Sequence, residues 1–263
     1  DVIAVLQSTG HPIVAVLGDD ATETMGVNDR AQLAAAEAVL RVRINDAWMR
    51  EGVSMSDPTR TYVDVGVELE PDVRLLPGVI LEGRTAVGAG SVIGPDCRLV
   101  DTIVGERVVI QQTVARESEI GDGATIGPWA SLRPGTRVGV DAHIGTFVET
   151  KNADIGDGVK VPHLAYIGDA EIGPRANIGA GTITANYDGR SKHRTKVGAD
   201  ARVGSNTVLV APVEIGDGAY TGAGAVVSRD VPPGAMAKGV PARIEEGWAA
   251  ERDAADDGSD GST

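Results

Sequence analysis

An aliphatic side chain returns at every sixth position through most of this 263-residue chain, and no other feature constrains the fold as tightly. Leu69, Leu75, Leu81, Val87, Ile93 and Leu99 form one run, and Ile120, Ile126, Leu132, Val138 and Ile144 a second. Ile155, Val161 and Ile167 follow, then Ile172 and Ile178, and finally Val197, Val203, Leu209 and Ile215, continued in phase by Thr221 and Val227. Glycine often comes next, as in Ile93-Gly94, Ile126-Gly127, Ile144-Gly145 and Ile215-Gly216. A second small or β-branched residue sits four places after the aliphatic one, as at Val73, Val79, Ser91, Ala142, Ala176, Thr207 and Ala225. A period of six is neither the 3.6 of a helix nor the 2 of a strand. It fits a short strand plus a turn, three of which close a triangular coil with the aliphatic residue inside; residues 67–232 then wind about nine coils. Each coil contacts only its neighbours. A β-sandwich is the competing architecture, but no sandwich demands a fixed six-residue phase over six consecutive units.

Composition agrees. Only 3% of residues are aromatic and 35 are glycine, which suits a repetitive backbone with small, uniform side chains. The net charge of -14 lacks the basic footprint of sequence-independent nucleic-acid binding. No apolar run is long enough to cross a bilayer, and no charged-then-apolar signal peptide opens the chain. It starts at Asp1 rather than Met, so a longer protein is expected around it. The single cysteine, Cys97, excludes an internal disulfide framework and fits a reducing cytoplasm. Its place in an inward slot marks it as core rather than as a nucleophile.

The ends differ from the middle. Residues 1–27 are not hexapeptide, and His11 to Leu17 read as a strand. Residues 28–51 read as an amphipathic helix within a linking segment, 28–56, with an apolar stripe of Leu33, Ala36, Leu40, Ile44 and Trp48. Asn28 or Asp29 is the expected N-cap and Gly52 the C-cap. The helix is expected to cap the first coil of a repeat domain at 57–248, and the acidic Gly/Ser-rich residues 249–263 to be disordered.

Where the repeat breaks, chemistry is expected. One break surrounds Lys151 to Asp154; another shortens the unit from Ile167 to Glu171. The largest runs from Thr184 to Val197 and holds Arg190, Lys192, Arg194 and Lys196, a basic cluster in an acidic protein. It is either a solvated loop or an anion site. Of four histidines, His163 stands out because Pro162 replaces the usual glycine before it. A neutral imidazole there is suited to take a proton from an attacking amine, although a lone histidine is more often structural.

The repeat resembles that of the hexapeptide acyltransferases, which implies a left-handed parallel β-helix, an all-β fold. More specific stretches are Leu132-Arg-Pro-Gly135, Phe147-Val-Glu-Thr-Lys151, His163-Leu-Ala-Tyr-Ile-Gly-Asp-Ala-Glu-Ile172, Asn177 to Gly189, and Val210-Ala-Pro212. These resemble the acetyltransferase portion of the bifunctional bacterial N-acetylglucosamine-1-phosphate uridyltransferase/glucosamine-1-phosphate acetyltransferase family. The resemblance implies acetyl transfer from acetyl-CoA to the 2-amino group of glucosamine-1-phosphate, on the way to UDP-N-acetylglucosamine and cell wall. It implies His163 as general base, and Arg133, Lys151 and Lys192 on the sugar phosphate. Tyr166 and Asn177 would make other sugar contacts. Ala180, Asn186, Tyr187, Ser205 and Ala223 would line the coenzyme path, and Trp248 would stack on adenine from a neighbouring subunit of a homotrimer. A backbone N–H near Ala180 would stabilise the oxyanion. Residues 1–27 would be the remnant of a uridyltransferase domain otherwise missing here. Asn28 would be an orphaned Mg²⁺ ligand of that domain, since one neutral amide oxygen does not hold Mg²⁺, and the chain alone is expected to lack uridyltransferase activity.

Three other readings stay open at this point. They are an acyltransferase for another amino sugar or nucleotide sugar, a metal-binding β-helix using histidines from adjacent subunits, and a structural fragment with incomplete sites.

Overall fold

The computed structural model describes residues 1–248, so the tail expected to be disordered lies outside the described residues. The chain divides into two compact units, Asp1–Arg43 and Ile44 onward.

The first unit holds a short helix, Val2–Ser8, a 3-10 turn, Ala21–Thr24, and the first part of a long helix, Arg30–Arg50. The strand expected at His11 to Leu17 does not form. A strand needs a neighbour for its backbone groups, and none of the described strands pairs with this segment. Asp29 caps the long helix, its Oδ1 accepting the Gln32 N–H at 2.8 Å. The apolar stripe is only half used: Leu33 and Leu40 remain exposed, while Ile44 and Trp48 pack against the hydrophobic core.

The second unit is a parallel β-solenoid. One face stacks a 12-stranded ladder from Ser54–Met55 to Ala242–Glu245, parallel throughout except for its last pair. A 17-stranded sheet supplies the other two faces. Every aliphatic residue of the six-residue phase is buried, and so are the small residues four places on. Cys97 is among them, and burial pushes its thiol up to about 11.

The solenoid starts earlier than residue 67, at Ser54, giving one more coil than expected. The 3-10 turn Pro58–Arg60 interrupts the phase of that first coil. Between Leu99 and Ile120 the inward residues are Val104, Ile110 and Ala115. Three of those four steps are five residues long, which hides the repeat without breaking the stack.

The helix end closes the first coil. Val53 N–H donates to Trp48 O at 3.0 Å and Gly52 N–H to Met49 O at 3.3 Å, with Gly52 at φ +99°. That is the paired bonding of a glycine-terminated helix. Asn45, buried, donates from Nδ2 to the carbonyls of Pro58 and Thr61 at 2.9 and 3.0 Å, tying the helix to the first coil.

Candidate functional site

Register decides which side chains meet. Lys160 pairs with Asn177, and Tyr166 with Ile183, both 17 residues apart, so His163 lies beside Ala180. The same reasoning sets Ala180 beside Ser205, from Asn177–Arg202 and Ile183–Val208, and Ser205 beside Ala223, from Arg202–Tyr220 and Val208–Val226. These four residues therefore form one corner column on successive coils. At a spacing of about 4.8 Å per coil, the column runs ~14 Å from His163 to Ala223. Above His163 every side chain in it is small, which leaves a shallow track along the edge.

The backbone at this corner takes the left-handed turn that recurs along the solenoid, as at Asp96, Arg107, Asp141 and Asn206. Trp129, Phe147 and Leu164, on three successive coils, have φ of +56°, +56° and +50° and are all exposed. What sets this corner apart is that three large apolar side chains occupy those turn positions in the open. The Trp129 and Phe147 rings stack with centroids 5.4 Å apart.

On the face that follows the corner, a polar cluster spans strands Ser131–Leu132, Glu149–Ile155 and Tyr166–Ile172. Arg133 Nη1 donates to Glu149 Oε1 at 2.8 Å, and this carboxylate raises the guanidinium pKa. Lys151 meets Lys192, whose ammonium holds that of Lys151 below the ordinary lysine range; desolvation and Arg133 act the same way, and Asp169 opposes them. Asp169 is buried, accepting from Asn152 Nδ2 at 2.7 Å and Asn186 Nδ2 at 2.5 Å. Asn186 Nδ2 also reaches Tyr166 Oη at 3.4 Å.

Tyr166 occupies space that Gly168 leaves. A Cβ at residue 168 would come within 2.3 Å of the phenol oxygen. Gly168→Ala is expected to swing the ring away from Asn186 without unfolding the coil, because the obstructing atom is the far end of a side chain. Intrinsic tyrosine fluorescence is not selective enough to see this. A crystal structure of the variant, together with an unchanged melting temperature, checks it.

The structure brings Arg133, Lys151, Tyr166 and Lys192 together, with Asn186 at the edge of the group. Asn177 sits on the preceding face, in register with Lys160 and Arg202. Tyr187 is exposed and bridges to Lys192. Trp248 packs edge-on against Tyr220 of its own chain, centroids 4.8 Å apart. Within the basic loop, Arg194 turns away from Lys192 to hydrogen-bond the Asp154 carboxylate and the Ala170 carbonyl. His163 is exposed, and His143 stands on the neighbouring coil with Nδ1 2.7 Å from Thr125 Oγ1. Burial, then His163 and Lys160, lowers the His143 pKa.

Sequence reasoning gave no role to Glu149, Asn152 or Asp169. The shortened unit after Ile167 was the one available signal for Asp169. As for Mg²⁺, the Asn28 N–H and Nδ2 both donate to Gln32 Oε1, at 2.6 and 3.2 Å. One neutral amide beside another does not make a Mg²⁺ donor set. Among the described residues no cluster of three or more His, Cys, Asp or Glu could hold a metal ion, and no helix is long and apolar enough to cross a membrane.

Residues 194–229 match the family model described as "Bacterial transferase hexapeptide (six repeats)". The chain is 53% identical over 249 residues to the "Bifunctional protein GlmU" of Micrococcus luteus, covering 94% of this chain and 50% of that protein. The protein of the same name from Rhodococcus jostii is 52% identical with the same coverage. The chain thus spans about half the length of the curated relatives it matches. A solved Arabidopsis UDP-N-acetylglucosamine acyltransferase shares the fold, with a TM-score of 0.51 at 20% identity over 76% of this chain and 70% of that one. The coiled fold, the hexapeptide match and the identity over nearly the whole chain agree: this chain is a hexapeptide-repeat relative of GlmU, corresponding to about half of that bifunctional protein.

Proposed function

We propose that this chain transfers the acetyl group of acetyl-CoA to the 2-amino group of glucosamine-1-phosphate, giving N-acetylglucosamine-1-phosphate. The observation that carries the reading is the meeting of Arg133, Lys151 and Lys192 beside Tyr166, on the strand that follows His163. Three cations gathered in a chain of net charge -14 suit a small dianion. The relatives' identity points the same way.

In this reading the phosphate rests on Arg133, Lys151 and Lys192, with Tyr166 and Asn177 on the sugar. Fixing the sugar removes much of the entropic barrier to attack. His163 takes a proton from the amine as its nitrogen bonds to the thioester carbon. The oxyanion that forms is met by a backbone N–H near Ala180. Its collapse breaks the C–S bond and releases the thiol of CoA. The coenzyme arm follows Ala180, Ser205 and Ala223 along the corner, with Asn186, Tyr187 and Trp248 contributing further along.

Asn177 and the Arg133–Lys151 pair lie on different faces of one chain. In this reading the two sets meet across a boundary between copies in a homotrimer, and sedimentation of the purified chain tests it. The single buried thiol suits a cytoplasmic setting.

Release of free CoA thiol tests the acceptor. Glucosamine-1-phosphate should support turnover, and glucosamine-6-phosphate and UDP-glucosamine should not. Lys151→Ala should raise the KM for glucosamine-1-phosphate by about 10–100-fold, the weight of a charge-assisted hydrogen bond left unmade. Preference for another amino sugar would move the chain to a different acyltransferase class.

A further inference from the structure

Lys192 has no core contact to hold it. It is exposed, on a loop whose residues 187–191 are also exposed, yet the loop springs from Asn186, which shares the Asp169 carboxylate with Asn152, the neighbour of Lys151. An exposed loop does not hold one shape without bonds of its own, so something must hold this one if Lys192 is to stay near Lys151. Asp188 accounts for it. One of its oxygens accepts the N–H groups of Arg190 and Ser191, both at 2.7 Å, and the other lies 2.8 Å from His193 Nε2. The Asp188 N–H donates to Ser191 O at 3.2 Å, and the His193 N–H to Asn186 O at 2.8 Å. An antiparallel bridge between Tyr187 and Lys192 closes the base. Asn186, beneath the loop, is buried and bonded to Asp169. The Ser191 N–H first, then His193 and the Arg190 N–H, hold the Asp188 carboxyl well below the usual carboxylate range.

We propose that Asp188 and His193 are positioning residues, a brace that fixes the loop so that Lys192 and Lys151 form a preformed site for the phosphate of the acceptor. This rests on the reading that the acceptor is a sugar phosphate. A lysine on an unbraced loop would have to be ordered each time the anion binds, and that cost is subtracted from affinity. The brace places the cost in folding instead. His163 is on another strand, so proton transfer does not depend on the brace.

Kinetics on the full chain separate this from a merely structural role. Asp188→Ala and His193→Ala should each raise the KM for glucosamine-1-phosphate about tenfold, as for one lost hydrogen bond to a charged group. The kcat and the KM for acetyl-CoA should not change, and the melting temperature should fall only slightly, because the lost bonds are at an exposed loop outside the core. His193→Gln, which keeps a donor near the place of Nε2, should recover most of the affinity. A second measurement uses inorganic phosphate: it should raise the melting temperature of the parent chain and do so less for Asp188→Ala. A fall in kcat with KM unchanged, or equal stabilisation of both by phosphate, would overturn the brace. If the parent binds phosphate in an Asp188-dependent way but does not acetylate glucosamine-1-phosphate, the brace stands and the acceptor assignment fails.

Discussion

Replacing His163 with alanine is expected to lower acetyl transfer by about 10²–10⁴-fold, the usual share of a positioned general base. The solenoid should remain folded. His163 is exposed at a corner, so its loss leaves no cavity, and the inward residues on either side, Val161 and Ala165, keep their packing. The backbone bond that holds the corner, Leu164 N–H to Thr146 O at 2.9 Å, does not involve the imidazole. Turnover measured beside a thermal melt checks both halves. An active variant would remove His163 from the mechanism, whereas an inactive variant with a lowered melting temperature would leave its role as base unsupported.

Gly145→Ala should act through the fold. A Cβ at residue 145 would lie 1.9 Å from the carbonyl oxygen of Pro162 and 2.7 Å from its carbon, on the next coil. The obstacle is backbone, and each coil is held to the next by a ladder of hydrogen bonds, so neither side can yield cheaply. A stability loss of about 3 kcal/mol, the upper range for overpacking, is expected. Because the displaced carbonyl belongs to the residue before His163, activity should fall more than the folded fraction does. Gly18→Ala, whose methyl would meet nothing within 4 Å, is the matching control and should change neither quantity. Chemical denaturation and turnover of the two variants decide it; a Gly145→Ala chain as stable as its parent would mean that the coils part more easily than their spacing implies.

The repeat was legible because its cause is local. An inward slot at Ile144 or Leu209 accepts only an apolar side chain of one size class, so the phase is written in every unit. It became illegible where a coil shortened, as between Leu99 and Ile120, or where a 3-10 turn intervened, at Pro58–Arg60. The segment from His11 to Leu17 failed for the opposite reason: its composition suits a strand, but strand formation depends on a partner that composition does not reveal. The helix stripe misled in the same way, since periodicity reports an apolar face and not how much of it finds a core.

The site was readable through resemblance to known motifs more than through physics. Nothing in the order of residues says that Arg133 and Glu149, 16 positions apart, form an ion pair, or that Asp169 receives Asn152 and Asn186 from coils on either side. Those contacts follow from stacking. With the register known, residues spaced by one coil become neighbours, and the cluster can be deduced.

Coil length along the ladder varies, and the variation has an evolutionary consequence. Neighbouring strands are offset by 18 residues from Thr125 to His143, by 17 from His143 to Lys160, and by 25 from Asn177 to Arg202. The rungs stay in register through all of this, because surplus residues leave at a corner and return to the same place. A lineage can therefore lengthen, shorten or exchange the arm that carries Lys192 without retuning the coils above and below. With Lys192 on the acceptor, as proposed, acceptor choice and scaffold stability would be inherited as nearly separate traits, and new specificities would have an open route through a single corner.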